Sequence, residues 1–414
     1  MTSRSLLLAA ALLVPQALGA QGAPQAAQPA FQPAVSPPSS PTPFTIYVSS
    51  ESGDIITRIE VGPDGWRKVK EIGVGVMPTD PDGPHNITVS PDGRFWYISI
   101  AHGTPYGSVW KYATGTDTLI GRVGVGAFPT TIGLSPDGDW ALVPNSDFHG
   151  DRGHQNTISV LYLPDLTQLT EIPTCDMPHG SRYNHAGTMT YIACMMSDEL
   201  VTIDPGSFQI QRRVALGSGR PMTAAEHAAM EARQDSAAAA NPHAGHGTTP
   251  APAARPAPGA ASSTMAGQNP DCLTTYVSVS PDDRLLYLAC NHSNEVQVRD
   301  AGTLELVRRL PTGNGAYNVE PSPDGRWVVV TNKKNQNVSI FETRGWTEAA
   351  RVATSKRIPH GIAFSPDGRY VFVTQESVGS DPGAIDAIDL TTMQKVATMA
   401  IPLQPTAVAI WRGR

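Results

Sequence analysis

Short apolar runs recur along this chain, and most of them end in a Ser-Pro-Asp-Gly turn. "IPHGIAFSPDGRYVFVT" (358–374) is one instance. Related stretches are "PHNITVSPDGR", "PTTIGLSPDG", "PHGSRYNHAG", "TTYVSVSPDD", "AYNVEPSPDG" and "PTAVAIWRG". The turns start at Ser90, Ser135, Asn184, Ser280, Ser322, Ser365 and Trp411, giving gaps of 45, 49, 96, 42, 43 and 46 residues. A self-similar period of this size marks a repeat architecture. The long gap holds one insertion, over 218–270.

Each unit reads as four strands. In the sixth, "GIAFS" is strand A, "YVFVT" strand B, "AIDAIDL" strand C and "QKVATMAI" strand D. Proline presets φ in the turn and glycine accepts positive φ. The β-branched and aromatic runs suit strands. Short strands at this period predict an all-β fold, a seven-bladed β-propeller. The chain ends on a lone strand A, and "FTIYVSS", "DIITRIEV" and "WRKVKEIGVG" near its start supply B, C and D of the same blade. The ring therefore closes by pairing its two ends, velcro fashion, which protects the sheet edges.

The strand B motifs "YVFVTQ", "WVVVTN" and "FTIYVSS" resemble those of the YVTN-type seven-bladed propellers. That group also takes in lactonase-like propellers, the nitrous oxide reductase propeller and the haem d1 propeller. The resemblance covers about residues 43–414. It implies the fold and leaves the activity open, because this fold hosts many functions.

The flanking sequence sets the expected context. Residues 1–20 carry Arg4, an apolar run from Leu6 to Val14 and small residues after it, the pattern of a secretory signal peptide. Residues 21–43 are rich in Pro, Ala and Gln and read as a disordered tether, which leaves the propeller at 44–414. No later run is long enough to span a membrane. A periplasmic or secreted protein is expected. The net charge of −7 is spread without a basic stripe, which argues against nucleic acid.

Alignment of the repeats places the histidines. His85, His179 and His360 each stand five residues before the turn start, at the head of the innermost strand. The same column holds Thr130, Thr275, Tyr317 and Thr406 in the other blades. His102, His149, His154 and His292 fall in B–C loops on the same face, and only His185 belongs to the turn face. Converging imidazoles suit a transition metal, and three protein ligands with an open position suit a reactive one. The nitrous oxide reductase propeller is similar in principle, with histidines on this face around a copper cluster. With three histidines in the column, a mononuclear site is the expectation. The alternative is structural: Pro-His before a strand is a junction, with the imidazole bonded to a neighbouring carbonyl.

Met77, Met177, Met195, Met196, Met222, Met230 and Met265 map to the same face or to the insertion. Thioether is a soft donor, which favours copper over zinc; otherwise these methionines only fill gaps. The insertion is rich in Ala, Pro and His. It opens with a Thr223-x-x-Glu226 capping box. It carries His227, Met230, His243 and His246, so it reads as a lid or metal-collecting arm, or as a tolerated surface loop.

Four cysteines in an exported chain can form disulfides. Their matched offsets around two A–B hairpins favour Cys175–Cys194 and Cys272–Cys290; the other two connectivities stay open. There is no C-x-x-C-H for covalent haem and no G-x-S-x-G nucleophile motif. The expected function is binding of copper or zinc at the channel mouth, as a metalloenzyme or a carrier. The alternative is a non-catalytic propeller that binds a small molecule or an envelope protein. Lactone hydrolysis follows from the fold group alone.

Overall fold

A computed structural model describes residues 37–76, 81–102, 107–149, 156–217 and 271–413. The expected signal peptide, most of the tether, the insertion with His227, Met230, His243 and His246, and also Met77 and His154, lie outside these residues.

The described residues form seven four-stranded antiparallel sheets, each ordered A-B-C-D. Strand A of the seventh blade is Pro405–Trp411, and it pairs with Phe44–Ser50 in the register Ile46↔Ile410 and Val48↔Val408. The two ends of the chain therefore close the ring, as the sequence predicts.

Burial follows strand rank. Strands B such as Trp327–Asn332 and Tyr370–Gln375 are buried along their whole length, whereas strand D of the first blade, Thr118–Gly124, is largely exposed. The apolar cores lie between neighbouring blades. Phe44, Ile46 and Val48 of the seventh blade pack against Tyr370, Phe372 and Ile385 of the sixth. Each blade buries one face against the blade before it and one against the blade after it, so no blade has a core of its own.

Two details depart from expectation. Strand A of the second blade shrinks to Gly133–Leu134, because Pro144 on the facing strand B has no N–H to donate. The tether also joins the propeller earlier than its composition suggests. Pro38 and Ser40 are buried, and the Ser40 N–H donates to the Gly62 carbonyl at 3.0 Å.

Both favoured disulfides are formed, with Cα–Cα separations of 6.0 Å for Cys175–Cys194 and 4.5 Å for Cys272–Cys290. Each ties a D–A loop to the end of strand B in its own blade. Among the described residues no helix is long and apolar enough to cross a membrane.

Candidate functional site at the channel mouth

One backbone device builds the mouth in every blade. Two residues before each column position stands a residue with positive φ: Gly83, Phe128, Met177, Leu273, Gly315, Ile358 and Gln404. Its carbonyl accepts the N–H of the residue that follows a strand B. These seven pairs are Ala101 to Gly83, Ser146 to Phe128, Met195 to Met177, Asn291 to Leu273, Lys333 to Gly315, Glu376 to Ile358 and Glu51 to Gln404, at 2.8–3.1 Å. Five of the seven positive-φ residues are not glycine, and Ile358 is β-branched, so this is a ring of strained backbone. It sets two rings of side chains together. One is the column His85, Thr130, His179, Thr275, Tyr317, His360 and Thr406. The other is Glu51, Ala101, Ser146, Met195, Asn291, Lys333 and Glu376.

Column side chains lace neighbouring blades. Thr130 Oγ1 donates to the His179 carbonyl at 2.8 Å, Thr406 Oγ1 to the His85 carbonyl at 2.9 Å, and Thr275 Oγ1 to the Tyr317 carbonyl. His179 Nδ1 does the same to the Thr275 carbonyl at 2.8 Å. The junction role is therefore real for one nitrogen of His179. A carbonyl only accepts, so Nδ1 carries the proton and Nε2 presents a lone pair. Tyr317 donates its hydroxyl to that lone pair at 3.3 Å.

His85 breaks the pattern. Its Nδ1 donates to Glu51 Oε2 at 3.0 Å, and the other carboxylate oxygen accepts His102 Nε2 at 2.9 Å. His85 is 6% exposed, and its Nε2 is buried with no hydrogen-bond partner. The imidazoles do converge: ring centroids lie 5.8 Å apart for His85–His179 and 6.0 Å for His85–His360. His360 Nε2 is 3.8 Å from Glu376 Oε1, and Lys333 Nζ donates to that carboxylate at 2.8 Å.

Electrostatics keep two of the imidazoles neutral. Burial, then repulsion from His85, pulls the His179 pKa down to about 3. Burial and the Lys333 ammonium hold His360 well below the ordinary histidine range. Burial would raise the Glu51 pKa; attraction to His85 and hydrogen bonds from His102 and His85 outweigh it and hold the carboxyl far below the usual range.

The cavity above these groups has a volume of about 640 Å³ and is also lined by His102, Phe128, Phe148, His149 and Met195. Phe148 is 43% exposed at its lip. His292 is exposed and does not line the cavity. Among the described residues no group of three His, Cys, Asp or Glu side chains stands ready to hold a metal ion. The Tyr317 hydroxyl already occupies His179 Nε2. Glu51, Lys333 and Glu376 were not singled out from the sequence. Aligning the blades on the residue after strand B would have exposed them, as "YVSS-Glu51", "VVVTN-Lys333" and "YVFVTQ-Glu376".

Fold and mouth define a seven-bladed propeller whose channel opens among buried imidazoles. Residues 274–394 match the family described as "Lactonase, 7-bladed beta-propeller", so that stretch is similar to the lactonase-like propellers. Among curated proteins none matches the chain. Several solved structures share the fold. A putative 6-phosphogluconolactonase from Bacteroides uniformis is 15% identical with a TM-score of 0.63, over 89% of this chain and 99% of that one. Kuenenia stuttgartiensis hydrazine synthase is 20% identical with a TM-score of 0.58, over 82% and 92%. Dihydro-heme d1 dehydrogenase NirN in complex with DHE is 14% identical with a TM-score of 0.54, over 92% and 76%.

Proposed function

We propose that the channel mouth binds one transition-metal ion through Nε2 of His85 and of His179, with His360 as a third imidazole, in an exported propeller. The observation that carries this reading is His85: its Nδ1 is tied to a carboxylate while its Nε2 is buried and unbonded. Metal-ligating histidines are oriented by such a carboxylate on the other nitrogen. Two further facts support it. His179 and His360 are held neutral, as ligands must be. The cavity lining carries two carboxylates, Glu51 and Glu376, against one ammonium, Lys333, which favours a cation.

Copper is preferred over zinc because Met195 brings a thioether into the same lining. A bound ion would supply Lewis-acid or redox chemistry. The chain itself orients the imidazoles, shields them from water and offers the aromatic lip of Phe128 and Phe148 to a small molecule. The test is His85→Ala with His179→Ala. The unaltered protein is expected to hold one copper per chain after loading and dialysis. The double variant should hold none while circular dichroism still shows the folded propeller; its melting temperature is expected to fall, because His179→Ala removes the bond to the Thr275 carbonyl and His85→Ala removes a partner of Glu51. Unchanged copper content would overturn the reading.

A second reading, hydrolysis of a lactone in the same cavity, is favoured by the family match over 274–394 and by the Glu51–His85 pair as a general base. Lactone turnover that survives exhaustive chelation, and is lost in His85→Ala, would favour it over the metal.

A further inference from the structure

The channel does not run open from face to face. Tyr276, one residue beyond the column in the fourth blade, lies under the mouth. Its ring centroid is 5.3 Å from that of His179 and 5.7 Å from that of Tyr317, and it is 2% exposed. The third and sixth blades carry Gly180 and Gly361 at that position, where a Cβ would press on the backbone of the next blade's strand A. Below it is a separate chamber of about 400 Å³ that shares no lining residue with the mouth cavity. Asn86, Arg182, Asn318 and Glu320 line it, together with Tyr276.

We propose that this chamber is a second binding site, for a small zwitterion of the free amino-acid type. The case does not depend on the metal reading. Arg182, from strand A of the third blade, donates Nη2 to Oε1 of Glu320, from strand A of the fifth. Beyond that, Arg182 makes one long contact, Nη1 to the Ser181 carbonyl at 3.5 Å, and its other N–H groups have no partner among the described residues. Glu320 Oε2 has none either. The Asn318 side chain is 4% exposed, lines the chamber and leaves Oδ1 without a hydrogen bond.

The chamber thus holds an unused donor edge and, on its bonded partner, an unused carboxylate oxygen, with Asn318 two residues away on the strand that carries Glu320. The fixed pair is neutral overall, so a lone anion or cation meets one partner and one repulsive charge. A molecule with a carboxylate and an ammonium a few ångströms apart meets both partners. Its carboxylate takes the free edge of Arg182, and its ammonium takes Glu320 Oε2. The Arg182–Glu320 bond need not open.

The experiment is calorimetric titration of the full exported chain with glycine, L-alanine and L-serine. Acetate and ethylammonium serve as single-charge controls. At least one amino acid is expected to bind at a single site, with both controls about tenfold weaker or worse. Arg182→Gln with Glu320→Gln keeps the chamber neutral and should weaken amino-acid binding by about tenfold or more, because charge-assisted hydrogen bonds are lost. Copper content at the mouth should not change in that variant. Asn318→Leu keeps both charges but puts apolar bulk on the chamber wall beside Glu320, and should weaken binding by about tenfold even if the double variant folds poorly. The proposal is overturned if no amino acid binds, if the controls bind equally well, or if Asn318→Leu binds as the unaltered protein does.

Discussion

At the turn end of the channel, five blades repeat one side-chain pattern. Ser90, Ser135, Ser280, Ser322 and Ser365 each donate Oγ to the aspartate two residues on, at 2.5–2.6 Å. Each also accepts the N–H five residues on, at 2.9–3.0 Å. At the mouth end it is the backbone that repeats. All seven blades make the same bond from the residue after strand B to a positive-φ carbonyl, while the side chains in both rings differ from blade to blade. Where side chains repeat, they hold the fold. Where the backbone alone holds the geometry, side chains are free to carry chemistry. Within the mouth the same test separates Thr130, which bonds a backbone carbonyl of the next blade, from His85, which bonds a side-chain carboxylate.

The comparison can be broken most sharply at Glu51. This carboxylate accepts from both His85 and His102 and has no part in the Ser-Pro-Asp-Gly turns. Glu51→Gln can accept from one imidazole only, because its amide faces the other with N–H. Loss of such an orienting partner typically costs about 10–100-fold in metal affinity. Competition with a copper-buffering chelator should show that loss, at an unchanged melting temperature. An unaltered affinity would make the Glu51–His85 pair part of the scaffold.

The turn end is also the part that could be read in advance. Pro-Asp-Gly turns and their spacing were enough for seven blades and terminal closure, and at the mouth end the matched cysteine offsets favoured both disulfides, because each rests on local chemistry. The column of His85, His179 and His360 was visible for the same reason: position in a repeat is a local property. Glu51 was not, because its partner lies 34 residues away in the next blade. Nor was the strained ring. Only Gly83 and Gly315 announce positive φ, while Phe128, Met177, Leu273, Ile358 and Gln404 are held there by a bond from another loop. The short second strand A was missed because Pro144 acts on the strand it faces. His292 shares a loop type with His102 but not its reach, since side-chain direction is set by each loop's own path.

A smaller effect tests the other end. Ser322→Ala removes the acceptor of the Trp327 N–H, which then stays buried and unbonded, and leaves Asp324 Oδ1 with the Arg326 N–H but without the Ser322 hydroxyl. The expected cost is about 1–2 kcal/mol of unfolding free energy, measured by denaturant titration. Copper affinity should stay within about twofold if the ends are independent, since such distant sites share no partner. A large change in affinity would mean that turn geometry is transmitted along strand A to the mouth.

The smallest effect concerns Tyr317, and its sign is the informative part. Its hydroxyl covers His179 Nε2 at 3.3 Å, a long bond, while its ring is held by Lys333 Nζ at 3.5 Å from the centroid and by His360 at 4.5 Å. The ring therefore has little freedom, and an ion that takes the His179 lone pair must first displace the hydroxyl proton. Tyr317→Phe keeps the ring and deletes that bond. If the phenol is a cap, the variant should bind copper about two- to tenfold more tightly, the equivalent of one modest neutral hydrogen bond that no longer has to be broken. Uptake should be faster as well, because the capped form is no longer the starting state. If the phenol oxygen is itself a ligand, the same substitution should weaken binding and change the electronic spectrum of the copper form. One titration thus decides whether this ring position belongs with the threonines, which only hold blades together, or with His85.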